Sequence, residues 1–162
     1  MKHLLRSLAI TAVLALGIAS HVRAADLSIT ATSVIPGANA RFQDGIAGAS
    51  LTAGQVVYAD ASDSGKIKLA DANASATTAN VLGIAAHAAA SGQPVRVIIW
   101  DDDLTIGATV SMTAPVYVLS GTAGGIAPTA DVTTGWYPVV LFISKSTTKV
   151  IFDPVRGTAA AS

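Results

Sequence analysis

From Ala25 onward no stretch of the chain repeats apolar side chains at the 3.6-residue period of a helix for three turns. Short β-branched runs recur instead, separated by clusters of Gly, Asp, Ser and Pro. That pattern makes the fold all-β. The runs fall at residues 55–58, 66–69, 80–84, 94–100, 108–111, 115–119, 137–143 and 148–152. Eight short strands so closely spaced predict a small antiparallel barrel or sandwich, and 162 residues hold one such domain. Lys66-Ile-Lys-Leu69 alternates polar and apolar, as a strand with one wet face does, which places it near a sheet edge. Residues 139–143 are continuously apolar and should be central, covered on both faces.

Asp63-Ser-Gly65 and Gly121-Thr-Ala-Gly-Gly125 supply residues that tolerate positive φ where hairpins need them. Placing Tyr58 on Tyr117, an offset of 59, also superposes Gly65 on Gly124, Ile67 on Ile126, Val81 on Val140, Leu82 on Leu141 and Ile84 on Ile143. Leu51-Thr-Ala-Gly54 matches Leu104-Thr-Ile-Gly107 at an offset of 53, which an insertion of six residues reconciles. Two copies of one β unit sharing a core predict an internal two-fold repeat.

The first residues are of another kind. Lys2, His3 and Arg6 precede an apolar run over residues 8–19, and Val22 and Ala24 stand at the positions a signal peptidase inspects. Twelve helical residues rise ~18 Å against a ~30 Å hydrocarbon core, so a secretory signal cut after Ala24 is the expectation rather than a membrane span. A membrane is a partner only if residues 1–24 are retained. Their removal takes Lys2, Arg6 and Arg23, leaving seven bases against ten acids, all of them Asp. The chain then divides into the signal-like segment 1–24, an N-terminal arm 25–44, a single β domain 45–153 and a flexible C-terminal tail 154–162.

The inventory for chemistry is thin. Cys is absent, which excludes disulfides, thiolate zinc sites and a cysteine nucleophile. Beyond residue 24, His87 is the lone imidazole and Glu does not occur, so acid–base work would fall on one His and scattered Asp. No nucleophile elbow, P-loop or dinucleotide fingerprint is present, and a formal charge of zero offers no basic stripe for nucleic acid. The expectation is a protein that is no enzyme, with no cofactor, metal, nucleic acid or small-molecule substrate. Asp60-Ala-Ser-Asp-Ser-Gly65 with Asp71 superficially spaces oxygens like a calcium loop, but strands flank it where helices belong, and a hairpin turn is the better reading. Asp101, Asp102 and Asp103 place three like charges together. They are to be exposed, paired with a base of another subunit, or bound to a cation. Residues 71–79, rich in Ala, Ser and Thr, read as an exposed loop or a surface approached by another subunit's backbone.

A resemblance rests on Leu51-Thr-Ala-Gly-Gln-Val-Val-Tyr58, Gly65-Lys-Ile-Lys-Leu-Ala-Asp-Ala72, Val81-Leu-Gly-Ile-Ala85, Ala90-Ser-Gly-Gln-Pro-Val-Arg-Val97, Val116-Tyr-Val-Leu-Ser120 and Gly125-Ile-Ala-Pro128. These strings resemble the small β-rich capsid decoration, or head-fibre, proteins of tailed bacteriophages over about residues 45 to 152. The resemblance implies a barrel or β-tulip-like domain that sits as a homotrimer on the outer capsid surface of the virion, bridging subunits of the major capsid protein and stabilising the shell. It also implies that the N-terminal arm joins the capsid lattice, with Leu27, Ile29, Val34, Ile35 and Phe42 as contacts. Removing residues 25–42 should then abolish attachment and leave the domain folded. Two other readings stay open. One is an exported bacterial surface or periplasmic β-module, structural or adhesive. The other is a small hydrolase in which His87 lies within reach of an Asp and a Ser.

Overall fold

The computed structural model describes residues 25–157, 160 and 161; the signal-like segment 1–24 lies outside the described residues. The chain is all-β, with short 3-10 turns as its helical elements among the described residues. Ten strands follow in order: β1 (Val34–Ile35), β2 (Arg41–Ile46), β3 (Val56–Asp60), β4 (Lys66–Leu69), β5 (Val81–Ala85), β6 (Pro94–Ile106), β7 (Val116–Leu119), β8 (Ile126–Pro128), β9 (Val139–Ser144) and β10 (Lys149–Arg156). Every ladder between them is antiparallel.

The sheet runs β4-β3-β5-β6-β10-β9-β7-β8, an order that reads the same from either end. The expected two-fold repeat is therefore present as topology: β4-β3-β5-β6 and β8-β7-β9-β10 meet where β6 pairs with β10. The sheet curls into a half-barrel whose ends meet through irregular backbone. Gly124 N–H donates to the Ala70 carbonyl at 2.7 Å, Val56 N–H to the Gly124 carbonyl at 3.0 Å and Ala72 N–H to the Ser120 carbonyl at 3.0 Å. Gly124 carries φ +77° at this seam, and a Cβ there would stand 2.8 Å from Leu69 Cδ2, so glycine suits both the turn and the closure.

Residue by residue the repeat is looser than the 59-residue offset implies. Tyr58 and Tyr117 both enter the main core, but Ile67 faces a second core where Ile126 faces the first. Ile84 is fully buried where Ile143 is 50% exposed. With a side-chain period of two, a slip of one residue exchanges faces, and bulges in the β3–β5 and β7–β9 ladders introduce such slips. The Leu51 and Leu104 match is not realised: Leu51 forms an isolated bridge with Ala89, while Leu104 sits within β6.

The main core fills the concave side with Phe142, Phe152, Ile84, Ile98, Leu104 and Leu119 among its largest residues. A second core lies on the other face of the first half, where Ala47, Leu51 and Ala89 cover Val57, Ile67, Ala85, Val95 and Val97. β4 ends the sheet, as its alternation predicts, and β9 lies within it. The expectation that 139–143 is covered on both faces fails at Ile143, which points to solvent. The expected strand at 108–111 is a loop: Gly107, φ +73°, ends β6 with its carbonyl accepting from Thr30 N–H, and Val110 drops into the main core. The described residues of the C-terminal tail are held more firmly than expected. Residues 154–156 belong to β10, Gly157 N–H donates to the Pro138 carbonyl, and Ala161 exchanges backbone bonds with Gly135 and Trp136.

Candidate docking surface

β6 is the spine on which the N-terminal segment is mounted. Val97 is flanked by Gln43 of β2 and Ala85 of β5, and Thr105 by Ile35 of β1 and Lys149 of β10. Residues 25–44 therefore form no detached arm. Leu27 N–H donates to the Ile126 carbonyl and Gly37 N–H to Asp101 Oδ2 at 2.7 Å, and the proposed boundary at 44/45 falls inside β2. Of the five expected contact residues, Val34 is in the main core and Leu27 and Ile29 pack against it. Ile35 and Phe42 remain outside, 57% and 41% exposed. Deleting residues 25–42 would take Val34 from the core and a donor from buried Asp101, so that truncation does not separate docking from folding.

Around Phe42 the structure gathers residues that the sequence reading left out. The Arg41 guanidinium lies 5.2 Å from the Trp100 ring centroid, and that of Arg96 lies 5.5 Å from the Phe42 ring. Arg96 also grips Asp44 in two-pronged fashion, Nε to Oδ1 at 2.8 Å and Nη2 to Oδ2 at 3.2 Å. The Arg96 hydrogen bond holds the Asp44 carboxyl below the usual carboxylate range. Ile46, exposed at the end of β2, continues the strand's apolar surface. Arg–aromatic stacks on a solvent-facing strand pair have the composition enriched at protein interfaces. The backbone contributes too. The Arg96 carbonyl accepts from Ala86 N–H and its N–H donates to His87 Nε2, so the Arg96 backbone makes no hydrogen bond to the Asp44 backbone opposite it in the ladder. The N–H and C=O of Asp44 consequently turn to the outer edge of β2.

The acid run is divided among three environments within the chain. Asp101 is fully buried, accepting from Gly37 N–H and from Asp103 N–H at 3.0 Å. Asp102 accepts from Asn39 Nδ2, and Asp103 pairs with Lys149 and with Lys145 at 2.9 Å. Those bonds, Lys149 first, lower the Asp103 carboxyl. Exposure of the whole run, pairing with another subunit and a bound cation were the expectations; the pairing is intramolecular, and no group of three metal-capable side chains occurs among the described residues.

The calcium-like string is the hairpin expected. Asp60 Oδ1 accepts from Ser62 N–H, and its Oδ2 accepts from Lys68 Nζ at 2.9 Å. The Lys68 and Ser62 bonds hold the Asp60 carboxyl down at about 2. Asp71 turns aside to accept from Asn73 N–H. His87 lies exposed just past β5, its Nδ1 2.9 Å from the Ala88 carbonyl and its Nε2 engaged by Arg96 N–H, with Asp44 and Arg96 lining the same shallow hollow. A second hollow, lined by Asp26, Asn73, Ser120, Asp131 and Trp136, opens beside the first described residues, with Ser120 Oγ donating to the Asp26 carboxylate at 2.8 Å.

No family model matches the chain, and neither the curated proteins nor the solved structures give a match.

Proposed function

We propose that this chain is a virion structural protein that decorates the outside of a tailed-phage capsid and stabilises it by bridging subunits of the major capsid protein. The observation that carries the reading is the β2–β6 surface, where Arg41 stacks on Trp100 and Arg96 on Phe42 beside the outward-turned backbone of Asp44. Such a surface binds by shape, stacking and strand pairing, and needs no reactive side chain. The segmental resemblance to decoration proteins points the same way. His87 supports it as well, since both ring nitrogens engage backbone groups rather than an Asp and a Ser. Repetition over a shell turns a modest contact into a large barrier against rupture.

The decisive measurement is co-sedimentation with purified capsids lacking this protein, prepared from the phage whose genome encodes it. Wild-type chain should pellet with the shells, and Phe42→Asp combined with Ile46→Asp should lose most of that binding while keeping its far-UV circular dichroism. Undiminished binding by that variant would remove β2 from the contact. A second reading, an exported surface or periplasmic β-module, draws on the charged start, apolar run and Ala24 exit of residues 1–24. Recovery of the chain from a periplasmic or extracellular fraction with Ala25 as its first residue, and its absence from virions, would favour that reading over the capsid one.

A further inference from the structure

We propose that the outer face of β9 and β10 is a self-association surface, covered in solution by a second copy of this chain related by a two-fold axis. Ile143 and Ile151 are cross-strand partners 50% and 42% exposed, and Val155, 60% exposed, is paired with Val140. Three exposed aliphatic side chains thus share one face with half-buried Val140, the kind of contiguous apolar surface that monomers seldom leave bare.

The molecule itself shows what such a face requires. The corresponding face of the first half is covered by the chain's own Ala47, Leu51 and Ala89. The second half has no cover of its own among the described residues. Its β9–β10 connection, residues 145–148, is short and turns back through Lys145 and Ser146 onto Lys149, whereas the β5–β6 connection spans 86–93 and folds over the sheet.

The charges identify the occupant. Along β10, Lys149, which also bonds Asp103 of its own chain while its side chain stays 45% exposed, lies two residues before Ile151, and exposed Asp153 lies two residues after it. A two-fold axis that lies in the interface and runs across β10 at Ile151 makes the two β10 strands antiparallel, setting Lys149 of each copy toward Asp153 of the other with aliphatic rows stacked between them, as face-packed sheets do. A single patch thereby complements itself. The surface is separate from Phe42 and Ile46, so this inference stands apart from the capsid reading.

Sedimentation equilibrium of the full chain over about 1–100 μM tests it, a range that covers ordinary isologous dimers. The wild type should sediment as a dimer. Ile143→Asp with Ile151→Asp should raise the dissociation constant about a hundredfold, Val155→Asp alone about tenfold, and Asp153→Lys about tenfold by facing Lys149 of the partner copy. These side chains already stand in solvent, so circular dichroism and melting of the monomer should not change. A wild type that stays monomeric throughout the range overturns the proposal. A trimer overturns the two-fold arrangement while leaving the capsid reading intact. A dimer indifferent to both the double and the Val155 variants overturns it as well, and if those variants instead lose capsid co-sedimentation, the face belongs to the capsid protein.

Discussion

In the first half of the sheet, the face turned away from the main core carries Val57, Ala85, Val95 and Val97 beneath Ala47, Leu51 and Ala89. The same face of the second half carries Ile143, Ile151 and Val155 in the open. The eight-strand path repeats its order in the two halves, but β2 pairs with β6 off that path and leads into Ala47, so an extra strand and the connections together set the difference. The segment before β3 and the β5–β6 loop wrap one half, while the segment before β7 sends Val110 to the main core and the β9–β10 turn is too short to fold back. One β unit used twice has thus become a half that covers its outer face and a half that leaves it open.

The contrast breaks most sharply under paired truncations. Ile67→Ala, in the second core, should cost about 2–5 kcal/mol, and Ile151→Ala less than about 0.5 kcal/mol at monomeric concentration, read by urea denaturation. Equal losses would mean that the open face is packed after all. At the seam between the halves, Asp101→Ala strands the N–H groups of Gly37 and Asp103 and should destabilise by about 1–3 kcal/mol, whereas Asp102→Ala should stay within about 0.5 kcal/mol.

The turns sharpen the comparison on a smaller scale. Gly65 and Gly124 both have φ near +75°, at +74° and +77°, but a Cβ on Gly65 meets open space and one on Gly124 meets Leu69. Both alanine variants carry the left-handed penalty of about 1–2 kcal/mol, and Gly124→Ala should exceed Gly65→Ala in the same denaturation series. The smallest effect is electrostatic. Asp60 and Ser120 each cap the turn after their strand by accepting an N–H two residues on, but only Asp60 titrates. Its folded-state pKa of about 2 lies below the ordinary carboxylate value, so its contribution is complete above about pH 4 and disappears as pH falls toward 2. Asp60→Asn should flatten part of the acid limb of a stability–pH curve, and Ser120→Ala should leave its shape alone.

Strand-forming residues were legible because β-branched runs and glycine turns are local signals, and seven of the eight expected runs contain a strand. β2 was not, because Arg41-Phe-Gln-Asp-Gly-Ile46 is exposed along nearly its whole length and lacks apolar alternation. β8 is three residues long and ends in Pro128. β6 was cut short at Trp100 since three acids in a row look unlike a strand, and only tertiary partners, Gly37, Lys145 and Lys149, make room for them. The docking surface was half legible. Phe42 and Ile35 stood out as apolar residues in a polar segment, but Arg41, Arg96 and Trp100 become neighbours only through the β2–β6 register.

Asp26 and Trp136 line one hollow, and Ala161 is bonded to the Trp136 backbone. The beginning and the close of the described chain therefore converge on a single spot. A brief linker could join them into a circular permutant opened at the Asp63-Ser-Gly65 hairpin. Cargo grafted before Ala25 or after Ala161 of the trimmed domain would start from the same side, which suits it to displaying two passengers side by side.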